Sequence, residues 1–192
     1  NAASTQWTTG GDGSFDDAPS LAAIYFPGID DISTGSVNLC LTANASGACT
    51  NSEDCLTVTI QQATEVSAGA DQTICESETT LLDGEAGNYA NLLWETSGDG
   101  EFSDATTLNP TYTPGANDLL QGSAVLTLSA FSSNACDDAT SQMLLTIDTE
   151  PTANAGTDLS VCETASVDLN GNAQNAASTQ WTTGGDGSFD DA

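Results

Sequence analysis

The 192-residue chain holds 28 Asp and Glu and not one Lys, Arg or His, for a formal charge of −28. A surface of that sign repels nucleic-acid phosphate and anionic lipid, which excludes both as partners, and no stretch approaches the ~20 apolar residues of a membrane-spanning helix. The missing basic residues also remove His-based nucleophile systems and Lys-based phosphate cradles, so the sequence reads as non-enzymatic.

In chain order, the sequence opens on Asn1-Ala2-Ala3-Ser4, without the basic and apolar regions of a secretion signal, and enters a strand at Trp7. An acidic loop, Asp12-Gly13-Ser14-Phe15-Asp16-Asp17, follows, then Tyr25 ahead of Pro27-Gly28. Val37, Leu39, Leu41 and Ala43 alternate as core residues and turn Cys40 outward. Leu56, Val58 and Ile60 do the same for Cys55. Two outward cysteines on adjacent antiparallel strands face each other, which predicts a surface disulfide between Cys40 and Cys55. The competing reading is a crosslink between neighbouring fibres.

Residues 60–67 are not a Gly/Ser tether, so one module is expected to run almost directly into the next. Beyond them, Asp71–Glu76 and Thr79–Asp83 read as strands, and Gly84-Glu85-Ala86-Gly87 as a turn. Asn91–Thr96 carries Trp94 and ends in the loop Ser97-Gly98-Asp99-Gly100. Phe102 and Tyr112 mark middle strands, and Ala124–Phe131 and Gln142–Thr149 are the clearest strands of all. No helical period appears, and the Thr, Ser, Gly, Asn and Val content disfavours helix.

Trp7, Trp94 and Trp181 stand 87 residues apart. The same shift aligns Gly11-Asp12-Gly13 with Gly98-Asp99-Gly100, Tyr25 with Tyr112, Cys49 with Cys136, and Cys75-Glu76 with Cys162-Glu163, without a gap. Residues 175–192 repeat residues 1–18 letter for letter, at twice that shift. The expectation is an 87-residue module alternating in a 174-residue two-module unit, cut from a longer polypeptide. Residues 68–154 form a complete module, 1–67 the later part of its partner type, and 155–192 that type beginning again. Six to eight short strands per module predict an all-β, immunoglobulin-like sandwich, with the tryptophan as its central core aromatic. A β-helix is the runner-up.

Six cysteines without basic neighbours predict disulfides in an oxidising compartment, and the absence of His and CxxC excludes a zinc site. Equivalent positions in each module predict that Cys75 pairs with Cys136, while Cys49 and Cys162 find their partners in neighbouring units. The acidic loops offer Asp12, Asp16, Asp17, Asp99, Glu101 and Asp104 as calcium ligands. The alternative is that Asp-Gly makes a turn and the other acids are solvated. No cofactor is required. Asn44-Ala45-Ser46 fits a glycosylation sequon.

The string Asn154-Ala155-Gly156-Thr157-Asp158, with Val161-Cys162-Glu163, Leu169-Asn170-Gly171, Trp181-Thr182-Thr183 and Gly185-Asp186-Gly187-Ser188-Phe189, resembles the PKD-like repeats of giant surface proteins of gliding Bacteroidetes-type bacteria. Tyr25-Phe26-Pro27-Gly28, Asp31-Ile32 and Gly35-Ser36-Val37 continue the pattern. The resemblance implies type IX secretion, cell-surface display and a role in adhesion, gliding or filaments, with no catalytic residues. The expected function is a semi-rigid stalk or filament whose partners are copies of the repeat in series, and laterally through cations or glycans. The alternative is a repeat-borne binding module for glycans or surfaces.

Overall fold

The computed structural model describes residues 2–190; Asn1, Asp191 and Ala192, at the outer edges of the two identical ends, lie outside them. Strand β1 (Ala2–Thr9) carries Trp7, and the short β2 (Ser14–Phe15) pairs with β3 (Tyr25–Phe26). Helix α1 (Ile29–Thr34) then leads into β4 (Ser36–Ala45) and β5 (Ser52–Thr59), and β1-β4-β5 form one antiparallel sheet.

The same succession recurs one module later. Next come β6 (Glu65–Ser67), β7 (Gln72–Cys75), β8 (Thr80–Leu81) and β9 (Glu85–Gly87). They precede β10 (Tyr89–Thr96), β11 (Glu101–Phe102), β12 (Thr111–Thr113), α2 (Ala116–Gln121), β13 (Ser123–Ser132) and β14 (Ala139–Asp148). A four-stranded sheet runs β10-β13-β14-β7 and a three-stranded one β11-β12-β8. β7 joins β14 in parallel, pairing Leu145 with Gln72 and Asp148 with Cys75. Two sheets with first and last strands parallel make this an all-β, immunoglobulin-like sandwich. The chain closes with β15 (Thr152–Asn154) paired to β16 (Asn172–Gln174).

Alternation in the long strands builds the core. Ala124, Leu126, Leu128 and Ala130 on β13 and Met143, Leu145 and Ile147 on β14 are buried with Trp94, Tyr112 and Leu82. Their period of two puts every second side chain on the inner face. Val37 and Leu39 of β4 are buried likewise, but Leu56 on β5, expected inside, is 47% exposed. The outer edge of β5 has no partner among the described residues, whereas β14 has β7 beside it. Residues 155–190 are exposed throughout except for the half-buried Trp181 and Phe189.

The chain divides into two compact units, residues 1–67 with 86–92 and 129–140, and residues 68–85 with 93–128 and 141–192. Three features differ from the sequence reading. The Gly84–Gly87 turn is partly a strand, β9, because it pairs with β6. That pairing also ties β6 to residues 85–87, expected inside the following module, and residues 86–92 fall in one compact unit with residues 1–67. And two helices are present, of six residues each. Six residues make under two turns, too few to show a 3.6-residue period. No helix of the described residues is long and apolar enough to cross a membrane.

Candidate functional site

Each helix is built on a Pro-Gly step. Gly28 and Gly115 hold extended backbone at the N-caps, and Gly35 and Gly122 end the helices in left-handed geometry at φ 78° and 69°. That conformation costs glycine nothing and suits its place just past a helix end. Three residues into each helix stands an aspartate, Asp31 or Asp118, 3% and 0% exposed.

These two carboxylates organise their surroundings. The Asp118 Oδ2 accepts the Tyr112 hydroxyl at 2.6 Å and the Gly115 amide at 3.0 Å, while its Oδ1 accepts the Asp99 amide at 3.3 Å. In return the Asp99 Oδ1 accepts the amides of Asn117 and Asp118 at the start of α2, at 2.9 and 3.4 Å. Asp31 repeats the arrangement, accepting from the Tyr25 hydroxyl and the Gly13 and Gly28 amides. Asp12 accepts the Asp30 and Asp31 amides in turn. Each aspartate thus satisfies backbone donors of the other's loop, a reciprocal form of the capping box. Gly98 and Gly11 are required beside the clamp: a Cβ there would lie 1.5 Å from the Asp118 Oδ1 and 1.6 Å from the Asp31 Oδ1.

The tyrosine hydroxyl beside Asp31 holds that carboxyl below the usual carboxylate range, with the Gly28 amide assisting. Burial, with the adjacent Asp118 carboxylate, pushes Tyr112 up to about 12; burial likewise raises Tyr25, beside Asp31. Asp118 and Asp31 are the buried members of the two clamps, while Asp99 and Asp12 stand exposed at the surface.

Around it the aromatics repeat. Trp7 stacks on Phe15 with ring centroids 6.1 Å apart, Trp94 on Phe102 at 6.1 Å, and Trp181 on Phe189 at 6.3 Å. The indole N–H of Trp7 donates to the Ser20 carbonyl and that of Trp94 to the Thr107 carbonyl, both at 3.1 Å. The hydroxyls of Thr9 and Tyr25 lie 2.9 Å apart, and those of Thr96 and Tyr112 2.8 Å. Trp7 and Trp94 therefore keep corresponding partners one 87-residue shift apart, Trp94 buried and Trp7 half-buried.

Of the six acids proposed for calcium, Asp12 and Asp99 spend their oxygens on helix caps. Asp16 accepts the Asp17 and Ile24 amides, and Asp104 the Thr106 amide and hydroxyl, whose hydrogen bonds lower its pKa. Neither these four nor Asp17 and Glu101 belong to a cluster: among the described residues, the grouping of three ligand atoms within 4.8 Å of one another is Cys40, Glu53 and Cys55. Its two sulfurs are already bonded to each other, which leaves a single carboxylate.

Cys40 and Cys55 face each other across β4 and β5 and form a disulfide, with Cα atoms 4.0 Å apart. In the other module type Thr127 and Gln142 hold the equivalent positions, and the Gln142 amide donates to the Thr127 hydroxyl at 3.2 Å. Cys49, Cys75, Cys136 and Cys162 are free thiols. The expected Cys75–Cys136 bridge is a correction. Because β7 runs parallel to β14, Cys75 lies beside Asp148 at that strand's C-terminal end, whereas Cys136 precedes its N-terminal end. A ten-residue strand spans about 33 Å, far beyond disulfide reach.

No protein-family model and no curated protein matches the chain. Among solved structures it is similar to the protocadherin gammaB7 EC3-6 cis-dimer structure, with a TM-score of 0.42 and 13% identity over 89% of this chain and 49% of that one. It is also similar to mouse cadherin-23 EC22-24, at 0.36 and 11% over 74% of this chain and 53% of that one. Sidekick-1 immunoglobulin domains 1-4 follow, at 0.33 and 14% over 80% and 45%. The chain spans about half the length of these structures.

Proposed function

We propose that the chain is a non-enzymatic, extracellular structural repeat, part of a semi-rigid, disulfide-stapled stalk or filament that supports adhesion or gliding at a cell surface. The observation carrying this reading is the recurrence of one tryptophan–phenylalanine core and one aspartate clamp at an 87-residue shift. Side chains that would serve a catalytic or ligand site are spent instead on caps and core, and they recur with the module. Repetition of one folded unit serves a spacer, in which every module contributes length and stiffness. The surface charge favours single strands unless cations or glycans bridge them.

Electron microscopy of the native assembly tests this. With ten-residue strands, the expected image is density repeating about every 40 Å along a continuous strand. Isolated globular particles, with a glycan-array signal lost on changing one loop while the fold persists, would reverse the reading in favour of a binding module.

A further inference from the structure

The four free thiols fall into two kinds that the 87-residue shift relates: Cys75 and Cys162 follow a first strand position, and Cys49 and Cys136 lie in the loop before a last strand. Two local geometries place these kinds against the same residue of the module. Cys75 pairs in parallel with Asp148, its neighbour Glu76 donates to the Asp148 carbonyl at 2.9 Å, and the Cys75 Sγ lies 3.8 Å from the Glu150 Oε1. Shifted by 87, Asp148 and Glu150 become Gln61 and Ala63. It is at Gln61 that the loop cysteine sits. The Cys136 Sγ is 3.6 Å from the Gln61 carbonyl, the Ala135 amide donates to the Gln61 Oε1 at 2.8 Å, and the Asn134 side-chain amide donates to the Gln62 carbonyl at 3.1 Å.

The last-strand end that the first-strand cysteine of a module flanks is thus the one gripped by the loop cysteine of the following module. We propose that these two cysteines are bonded, so that each module is stapled to its successor: Cys75 to the next Cys49 counterpart, and Cys162 to the next Cys136 counterpart. This rests on the tandem reading above. The local frame of the first cysteine recurs, since Glu78 donates to the Cys75 carbonyl at 2.9 Å and Ala165 to the Cys162 carbonyl at 3.0 Å.

The oxidant is an external disulfide, a protein dithiol carrier or oxidised glutathione. One thiolate attacks it, forming a mixed disulfide and releasing one carrier thiol; the second thiolate displaces the remaining carrier sulfur. Two protons leave and two electrons pass to the carrier for each bridge.

The test is a polypeptide with residues 1–174 fused in frame ahead of residues 1–192, made in an oxidising compartment and alkylated without reduction. It is then cut with a Glu-specific protease, since trypsin has no site. Peptide masses are expected to join Cys75 of the first unit to Cys49 of the second, and Cys162 of the first to Cys136 of the second. Cys49→Ser in the second unit is expected to leave the first unit's Cys75 alkylated and the other bridge intact. The 192-residue chain treated alike is expected to alkylate Cys49, Cys75, Cys136 and Cys162. A Cys75–Cys136 bridge within one module of either chain would overturn the proposal. So would free thiols at Cys75 and Cys162 of the first unit in a longer chain whose units both show the β-sheet circular dichroism of the fold, though the tandem reading would then stand. A second unit that fails to fold as a sandwich overturns both.

Discussion

Asp118 has no exposed surface, and three protein donors converge on it. Replacing it by Ala removes the acceptor shared by the Asp99 and Gly115 amides and the buried Tyr112 hydroxyl, which keeps only Thr96 as a partner. From the cost of unsatisfied buried donors, Asp118→Ala is expected to destabilise the fold by about 3 kcal/mol, with Asp118→Asn less damaging because an amide oxygen still accepts. Urea denaturation measures this, and an unchanged midpoint would refute the clamp. Tyr112 adds a pH signature. Its folded pKa, raised by burial to about 12, stands above the unfolded value of 10.0, so the folded state holds the proton more tightly. The contribution is complete below pH 10 and is lost as pH rises toward 12. Tyr112→Phe is expected to flatten that alkaline decline in part, since Tyr25 is shifted the same way. Asp31 acts at the other end of the scale: its carboxyl is lowered, so its contribution is present above the ordinary value of 3.8 and fades as pH falls through its folded pKa.

At the scale of elements, the Cys40–Cys55 disulfide and the Thr127–Gln142 hydrogen bond are two solutions to one cross-strand position. Closing a loop of 15 residues stabilises by about 3 kcal/mol in the chain-entropy account, against under about 1 kcal/mol for a cross-strand polar pair. Reduction, or Cys40→Ala with Cys55→Ala, is expected to lower the unfolding midpoint of the β4–β5 hairpin far more than Thr127→Ala lowers that of β13–β14. Conversely, Thr127→Cys with Gln142→Cys is expected to pair under air oxidation, read as the four alkylatable thiols of the unsubstituted chain where an unpaired variant would show six. This pair was legible in the sequence because alternation along a strand states which face each residue takes. The same rule found the long strands and put Val37 and Leu39 inside, whereas Leu56, expected inside, is exposed on the open edge of β5. It could not find α1 and α2, which are shorter than their own period, nor the clamp, whose aspartates lie 19 residues apart. The available signal was a Pro-Gly step with Asp three positions after the glycine, repeated at Pro27 and Pro114. The Cys75–Cys136 assignment failed for a different reason. Equivalence under a shift says that two cysteines recur together, but only the parallel direction of β7 reveals that they occupy opposite ends of one strand.

Over the whole molecule, 28 carboxylate-bearing residues face one another without a counter-charge. The clamps and caps bind several of these oxygens locally, yet the remaining charges repel at long range and favour expansion. Added salt shortens the reach of that repulsion from about 30 Å at 0.01 M to about 8 Å at 0.15 M, comparable with the spacing of neighbouring surface groups. The melting temperature is therefore expected to rise over that range of NaCl, the reverse of a fold held by surface ion pairs, which this composition cannot form. Divalent cations separate general screening from a specific site. With the Asp12 and Asp99 carboxylates spent on helix caps, and Asp16 and Asp104 on their own loops, calcium and magnesium at equal ionic strength are expected to give the same increment. An increment for calcium well beyond that for magnesium, removed by chelator and by Asp99→Asn, would show instead that these loops rearrange to hold the ion. The caps would then be the empty state of a cation site rather than its alternative.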